Sequence, residues 1–345
     1  MTAAHRRRLG ARHLILLALL ALLGSAGTFA AVTGNASAHP SPSPRVTDPT
    51  DNHAHGGPSP ADFADIRRAG PDARPPRNQP SASTGTFTAR CGRNENGHRN
   101  PDNFIVTPGV RNGAHHLHDY VGNLSTDAFS TDASLRAAGT TCARGDKSAY
   151  FWPVLRLTGD SDKSGESDGQ EAEGRVLTPD SVTLTFRGSP TAKVSAMPEG
   201  LRAITGDAKA STNGAKDARA RWSCTGFADR HLTDKYPLCP RGSAVVRLLD
   251  FPSCWDGQHT DSAGHRAHLV FPDTATGRCG RGLTPVPQLR MELTYRVPRG
   301  PSFAVDSFPE QLRKPVTDHA DFANVMPAGL MATVVRCVNE GRRCG

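Results

Sequence analysis

The sequence predicts a mainly β fold: one sandwich or jelly-roll-like domain, stabilised by disulfides and carrying a few short helices. Three observations lead there. Apolar and polar residues alternate at period two in several segments, which is the repeat of a strand with one wet face. Short apolar runs are broken by 34 glycines and 27 prolines, the residues that punctuate turns. Eight cysteines, an even number, all lie well beyond an N-terminal leader.

Residues 1–31 read as a secretory signal, with Arg6, Arg7 and Arg8 as the positive start and Leu14 to Leu23 as the apolar core. That core is about ten residues, too short for a stable membrane span once the signal is cleaved, so the protein is expected to be secreted. Residues 32–86 are rich in Pro, Ser and Ala, and are expected to form a disordered linker that buries too little surface to offset its ordering entropy. Residues 87–345, about 260 of them, suffice for one domain with its own core.

Within that domain Leu289, Met291, Leu293, Tyr295 and Val297 alternate with Arg290, Glu292, Thr294 and Arg296, the clearest strand in the chain. Val182, Leu184 and Phe186 repeat the pattern, and Val245–Phe251 and His268–Phe271 read as more deeply buried strands. Pro327–Val338 is the best helix candidate, with Leu330, Val334 and Cys337 at helical spacing. In an exported chain Cys91, Cys142, Cys224, Cys239, Cys254, Cys279, Cys337 and Cys344 point to four disulfides of open connectivity.

The formal charge is +8, with an isoelectric point near 9.3. Much of the excess sits in the leader and linker, and no Lys/Arg run interleaved with aromatics supports nucleic-acid binding. A polysaccharide or cell-wall polymer is the more natural partner for an exported basic chain.

Three constellations are able to carry chemistry. In Gly113–Tyr120, His116 and His118 share a face if the backbone is extended and so present two imidazoles side by side. In Phe251–Pro272, Trp255, Asp256, Asp261 and His268 gather an aromatic, two carboxylates and an imidazole, although Asp256-Gly257 is also an ordinary turn. Near the C-terminus, His319 and Asp321 again have same-face spacing, and a carboxylate beside an imidazole can fix its tautomer.

The order of these blocks carries a resemblance. Pro108-Gly109, His116-Leu117-His118, Gly122-Asn123, Ser148 to Pro153, Gly200-Leu201-Arg202, Gly206-Asp207, Phe251 to Gly257, His268 and His319-Ala320-Asp321-Phe322 resemble the secreted domain of unknown function DUF1996 over about residues 88–340. Members occur in fungi and actinobacteria, often beside WSC modules associated with carbohydrate, which implies work at a polysaccharide or cell wall. Ala320 stands where members usually have glycine, and Val325-Met326 where they often have tryptophan.

Three readings follow. The first is a polysaccharide hydrolase or lyase: His116, His118, His268 or His319 as base, Tyr150 or a carboxylate as acid, Asp256 and Asp321 as orienting groups, and Trp152, Trp255 and Asp261 binding substrate. The second is a site for Zn or Cu on His116, His118, His268 and His319. The third is a non-catalytic wall-binding protein whose polar cluster supports the sheet.

Overall fold

The computed structural model describes residues 57–158 and 174–345. The expected signal, and the linker as far as residue 56, lie outside them. Numbering the strands of the two main sheets in chain order, the first sheet contains β1 (Thr86–Ala89), β5 (Ser181–Arg187), β7 (Arg221–Cys224), β8 (Val245–Asp250), β9 (Gln288–Tyr295) and β11 (Arg343–Cys344). The second contains β2 (Arg99–Asn100), β3 (His118–Gly122), β4 (Ala149–Pro153), β6 (Arg202–Gly206) and β10 (His319–Ala323). The first has the order β7-β8-β9-β5-β1-β11 and the second β2-β3-β4-β10-β6, with every pairing antiparallel except β1 with β11.

The period-two segments become strands as expected. In β9 buried and more exposed residues alternate, and Leu289, Met291, Leu293 and Tyr295 form the buried row. That row meets Leu184 and Phe186 of β5 across the sheet and, facing it, Tyr150 and Trp152 of β4 and Phe322 of β10 in one core. Phe322 approaches Phe186 and Phe251 at 6.1 and 6.3 Å between ring centres, an edge-on contact between the layers. Two helices accompany the sheets: α1 (Asp132–Ala137), capped by Thr131, and α2 (Ala328–Asn339), which starts after Pro327 and buries Met331, Val334, Cys337 and Val338.

The second sheet is buried on both sides. Its other face carries Tyr120, Phe151, Ile204 and Ala323, covered by Phe104, Ile105, Leu135 and Val325. All five residues of β3, β4 and β10 are therefore buried, so these strands show no wet face in the sequence. Four disulfides form, Cys91–Cys142, Cys224–Cys239, Cys254–Cys279 and Cys337–Cys344, each joining neighbours in the order of cysteines. Among the described residues no helix is long and apolar enough to cross a membrane.

One expectation needs correcting. The described part of the predicted linker, residues 57–86, is packed on the domain: Phe63–Asp65 pairs in parallel with Tyr236–Leu238, Ile66 is fully buried, and Lys314 grips Asp62 at 2.7 Å. Averaged composition hid the two apolar anchors, Phe63 and Ile66. The segment His268–Phe271 also gives less strand than expected, only Leu269–Val270, in a small three-stranded sheet with Cys254–Trp255 and Thr284–Pro285.

Candidate metal centre

Three of the expected residues meet. Nε2 of His116 lies 3.1 Å from Nε2 of His118 and 3.1 Å from Nε2 of His319. For three nitrogens about 2.05 Å from a tetrahedral ion, the mutual separation is roughly 3.3 Å, so the cluster has the size of a ligand set. All three rings are buried, at 5%, 0% and 5% exposure.

The local fold explains the convergence. His118 opens β3 and His319 opens β10, and both point to the same face of the second sheet, on either side of β4. His116 comes from the turn before β3. There His115 adopts a positive φ of 55°, Ala114 N–H donates to the Pro101 carbonyl, and Leu117 N–H donates to Asp306. Asp306 is itself held by Arg156 at 3.1 Å. Gly206 of β6 lies opposite His319 with φ 76°, and a Cβ there would come within 2.2 Å of the Asp318 carbonyl oxygen and 2.7 Å of the His319 Cα. Only glycine lets the two strands approach this closely.

Electrostatics keep the cluster neutral. Burial pushes His116 well below the usual imidazole range, and the neighbouring His118 and His319 push it further. Burial and then His319 do the same to His118, and burial lowers His319. Neutral imidazole is the form that binds metal. Nδ1–H of His319 donates to the Thr317 carbonyl at 2.9 Å, which leaves the lone pair on Nε2 facing the cluster. Among the described residues, Nδ1 of His116 and of His118 make no close hydrogen bond.

Around the cluster, Phe308 packs against His116 and His115, with ring centres 5.2 and 5.7 Å away, and Lys209 Nζ stands 5.4 Å from the Phe308 ring. Two residues after His319, Asp321 occupies the same face at 0% exposure, accepts from Asn103 Nδ2 at 3.3 Å on one oxygen and has no partner on the other among the described residues. Burial pushes it up to about 7. On the opposite side of β10, Asp318 forms a fully buried ion pair with Arg247 of β8.

The remaining expected site residues lie elsewhere, and each placement has a physical reason. Tyr150 and Trp152 are one residue out of step with Phe151, so they point into the core between the sheets, both at 0% exposure. The Tyr150 hydroxyl donates to Asp146 at 2.6 Å, and Trp152 is in no position to bind substrate at the histidines. His268 is not part of the cluster: Ser262 Oγ and the Arg202 carbonyl occupy its two ring nitrogens at 2.9 and 2.8 Å. It docks the small sheet onto β6. Asp256 caps an exposed turn through the amides of Gln258 and His259, and those bonds hold it at about 2, too acidic for a proton donor near neutrality. Asp261 pairs with His265 in a loop, and Trp255 Nε1–H donates to the His259 carbonyl within its own turn. Sequence reasoning gave no role to Phe308, Asn103, Gly206 or the Arg247–Asp318 pair, although Gly206 lies in a block of the resemblance, Arg247 in the expected strand Val245–Phe251 and Asp318 beside His319.

A disulfide-bonded β-sandwich with three buried imidazoles gathered on one face of its second sheet defines the class. Residues 103–325, well over half of the chain, match the family model described as a domain of unknown function, DUF1996. The chain belongs to that family. No curated protein and no solved structure matches it.

Proposed function

We propose that this is an exported metal-binding domain in which His116, His118 and His319 hold one divalent transition ion, Zn²⁺ or Cu²⁺, through their Nε2 atoms. The observation that carries the reading is the meeting of three neutral Nε2 atoms at ligand-set spacing. With the lone pair of His319 committed inward, protons shared among the three rings leave nitrogens facing one another, which a cation at their centre resolves. Imidazole donors favour Zn²⁺ and Cu²⁺ over Ca²⁺ or Mg²⁺. Export is supported by the leader pattern and the four disulfides.

Three imidazole ligands would leave a tetrahedral ion one position that no histidine fills, and an ion that holds water there would activate it, so metal-assisted hydrolysis is the reaction class we propose. An extracellular polysaccharide remains the proposed substrate on the family's association with carbohydrate. Of the expected carboxylates only Asp321 lies on the histidine face, while Asp256 caps an exposed turn.

The test is elemental analysis of purified protein dialysed without chelator, beside His116→Ala/His118→Ala, with thermal unfolding followed as Zn²⁺ or Cu²⁺ is added. One equivalent in the wild type, lost in the variant, is the expected result. At a free metal concentration about 100 times Kd, stability rises by about 2.7 kcal/mol. Wild-type protein that carries no metal and unfolds at the same temperature with and without either ion would overturn the reading.

A further inference from the structure

We infer that a second site, on the first sheet and separate from the histidines, binds oxyanions of an acidic glycan through Arg90, Arg144 and Arg343. These three side chains line one open cavity of about 530 Å³, together with Thr88 and the chain end at Cys344-Gly345. That volume is within the range of small-ligand sites, about 300–1,000 Å³. All three arginines are exposed, and none forms an ion pair among the described residues. The adjoining cleft contains one carboxylate side chain, Asp146, which is turned inward, buried, and taken by the Tyr150 hydroxyl and the Ser148 amide. Among the described residues no acidic side chain is thus aimed at the guanidiniums, and the Gly345 main chain is the other acidic group at the cavity.

Two disulfides hold the three residues in place. Arg90 precedes Cys91, Arg144 follows Cys142 by two residues, and Arg343 precedes Cys344, in the bonds Cys91–Cys142 and Cys337–Cys344. Ala143 N–H donates to the Arg90 carbonyl at 2.7 Å, and β11 pairs with β1, with Arg343 opposite Thr86. Arg144 has a positive φ of 67°, and its guanidinium carbon stands 5.9 Å over the Phe87 ring. Planar guanidiniums on a braced backbone lose little freedom on binding and match carboxylate and phosphate oxygens in pairs. A uronate carboxylate and a phosphodiester offer the same oxyanion chemistry.

Polygalacturonate, sodium polyphosphate and neutral dextran are each titrated calorimetrically into the oxidised wild-type protein and into Arg90→Gln, Arg343→Gln and, as a control, Arg299→Gln, an exposed arginine elsewhere. The expected result is binding of an anionic polymer, displaced by inorganic pyrophosphate and weakened by added salt, with no dextran binding. Each pocket variant weakens it about tenfold, and the control stays within about twofold. Preference for polygalacturonate assigns the carboxylate source, and preference for polyphosphate assigns the phosphate source. The inference is overturned if neither anion binds, if dextran binds equally, or if Arg299→Gln weakens binding as much as Arg90→Gln. Unchanged unfolding temperatures of the variants show that folding is intact.

Discussion

Replacing Asp318 by Asn should be among the most damaging single changes in the chain. Asp318 and Arg247 are both at 0% exposure and joined by two bonds, Nε to Oδ2 at 3.1 Å and Nη2 to Oδ1. Arg247 Nη1–H also donates to the Pro153 carbonyl and the Tyr295 hydroxyl, and the guanidinium lies over the rings of Trp222 and Tyr295. Burial works against charge on Arg247, and Asp318 more than offsets it, so the group is held charged. Removing the carboxylate charge uncovers the burial penalty, and breaking one side of such a pair costs about 3–5 kcal/mol. For a domain of this size each kcal/mol lowers Tm by roughly 2–4 °C, so Asp318→Asn should lose at least about 6 °C in calorimetry. The double variant Arg247→Met/Asp318→Leu, which removes both charges and fills the space, should regain most of that loss. A single variant that costs less than about 1 kcal/mol, or a double variant no better than the single, would refute the reasoning.

Further outcomes follow from the same geometry. In chelator, the three histidines held below 6.5 contribute stability that is complete above that pH and drains below it, at up to about 1.4 kcal/mol per pH unit for each ring. His118→Gln should therefore narrow the stability loss between pH 6.5 and pH 5 in urea titrations; equal slopes in both proteins count against neutral rings. Burial raises Asp250, but the Arg290 hydrogen bond and the charges of Arg187 and Arg221 hold it at about 2, so its contribution is present above 3.8 and lost as pH falls towards 2. Asp250→Asn should cost roughly 2 kcal/mol at pH 7 and only about 0.4 kcal/mol at pH 2. Opening the 25-residue loop with Cys254→Ala/Cys279→Ala should cost roughly 3.5 kcal/mol by chain entropy, read from denaturant midpoints. Gly206→Ala, forced against the Asp318 carbonyl, should weaken Zn²⁺ uptake in equilibrium dialysis, while Gly282→Ala, with open space around it, should not.

The legibility of the chain depends on where water is. Strand β9 could be read because one side of it is wetter, so Arg290 and Glu292 mark its polarity, and α2 because its apolar residues return every third or fourth position. Strand β4, Ala-Tyr-Phe-Trp-Pro, is dry on both faces. Its letters do not say whether Phe151 or its neighbours Tyr150 and Trp152 face the histidines. Spacing suggested that His116 and His118 lie together, and they do, although His116 arrives by a turn rather than by strand pleating. That His319 joins them across more than 200 residues is a matter of sheet order, which local pattern does not encode. His268 looked equally suitable until its two nitrogens were seen to hold Ser262 and Arg202, a loop geometry outside the reach of composition. The dense segment Phe251–Gly257 carries a disulfide cysteine and a capped turn of the small sheet.

The covalent cross-links of this domain are all local, spanning 51, 15, 25 and 7 residues. The histidines join positions 203 apart. Disulfides thus tack down neighbouring stretches, while the early and late parts of the fold are joined by non-covalent contacts, the β4–β10 and β1–β11 pairings and the histidines among them. An ion seated there would add a removable bond to those pairings, so that chelation, rather than reduction, would be the treatment that loosens the hold between the beginning of the domain and its end.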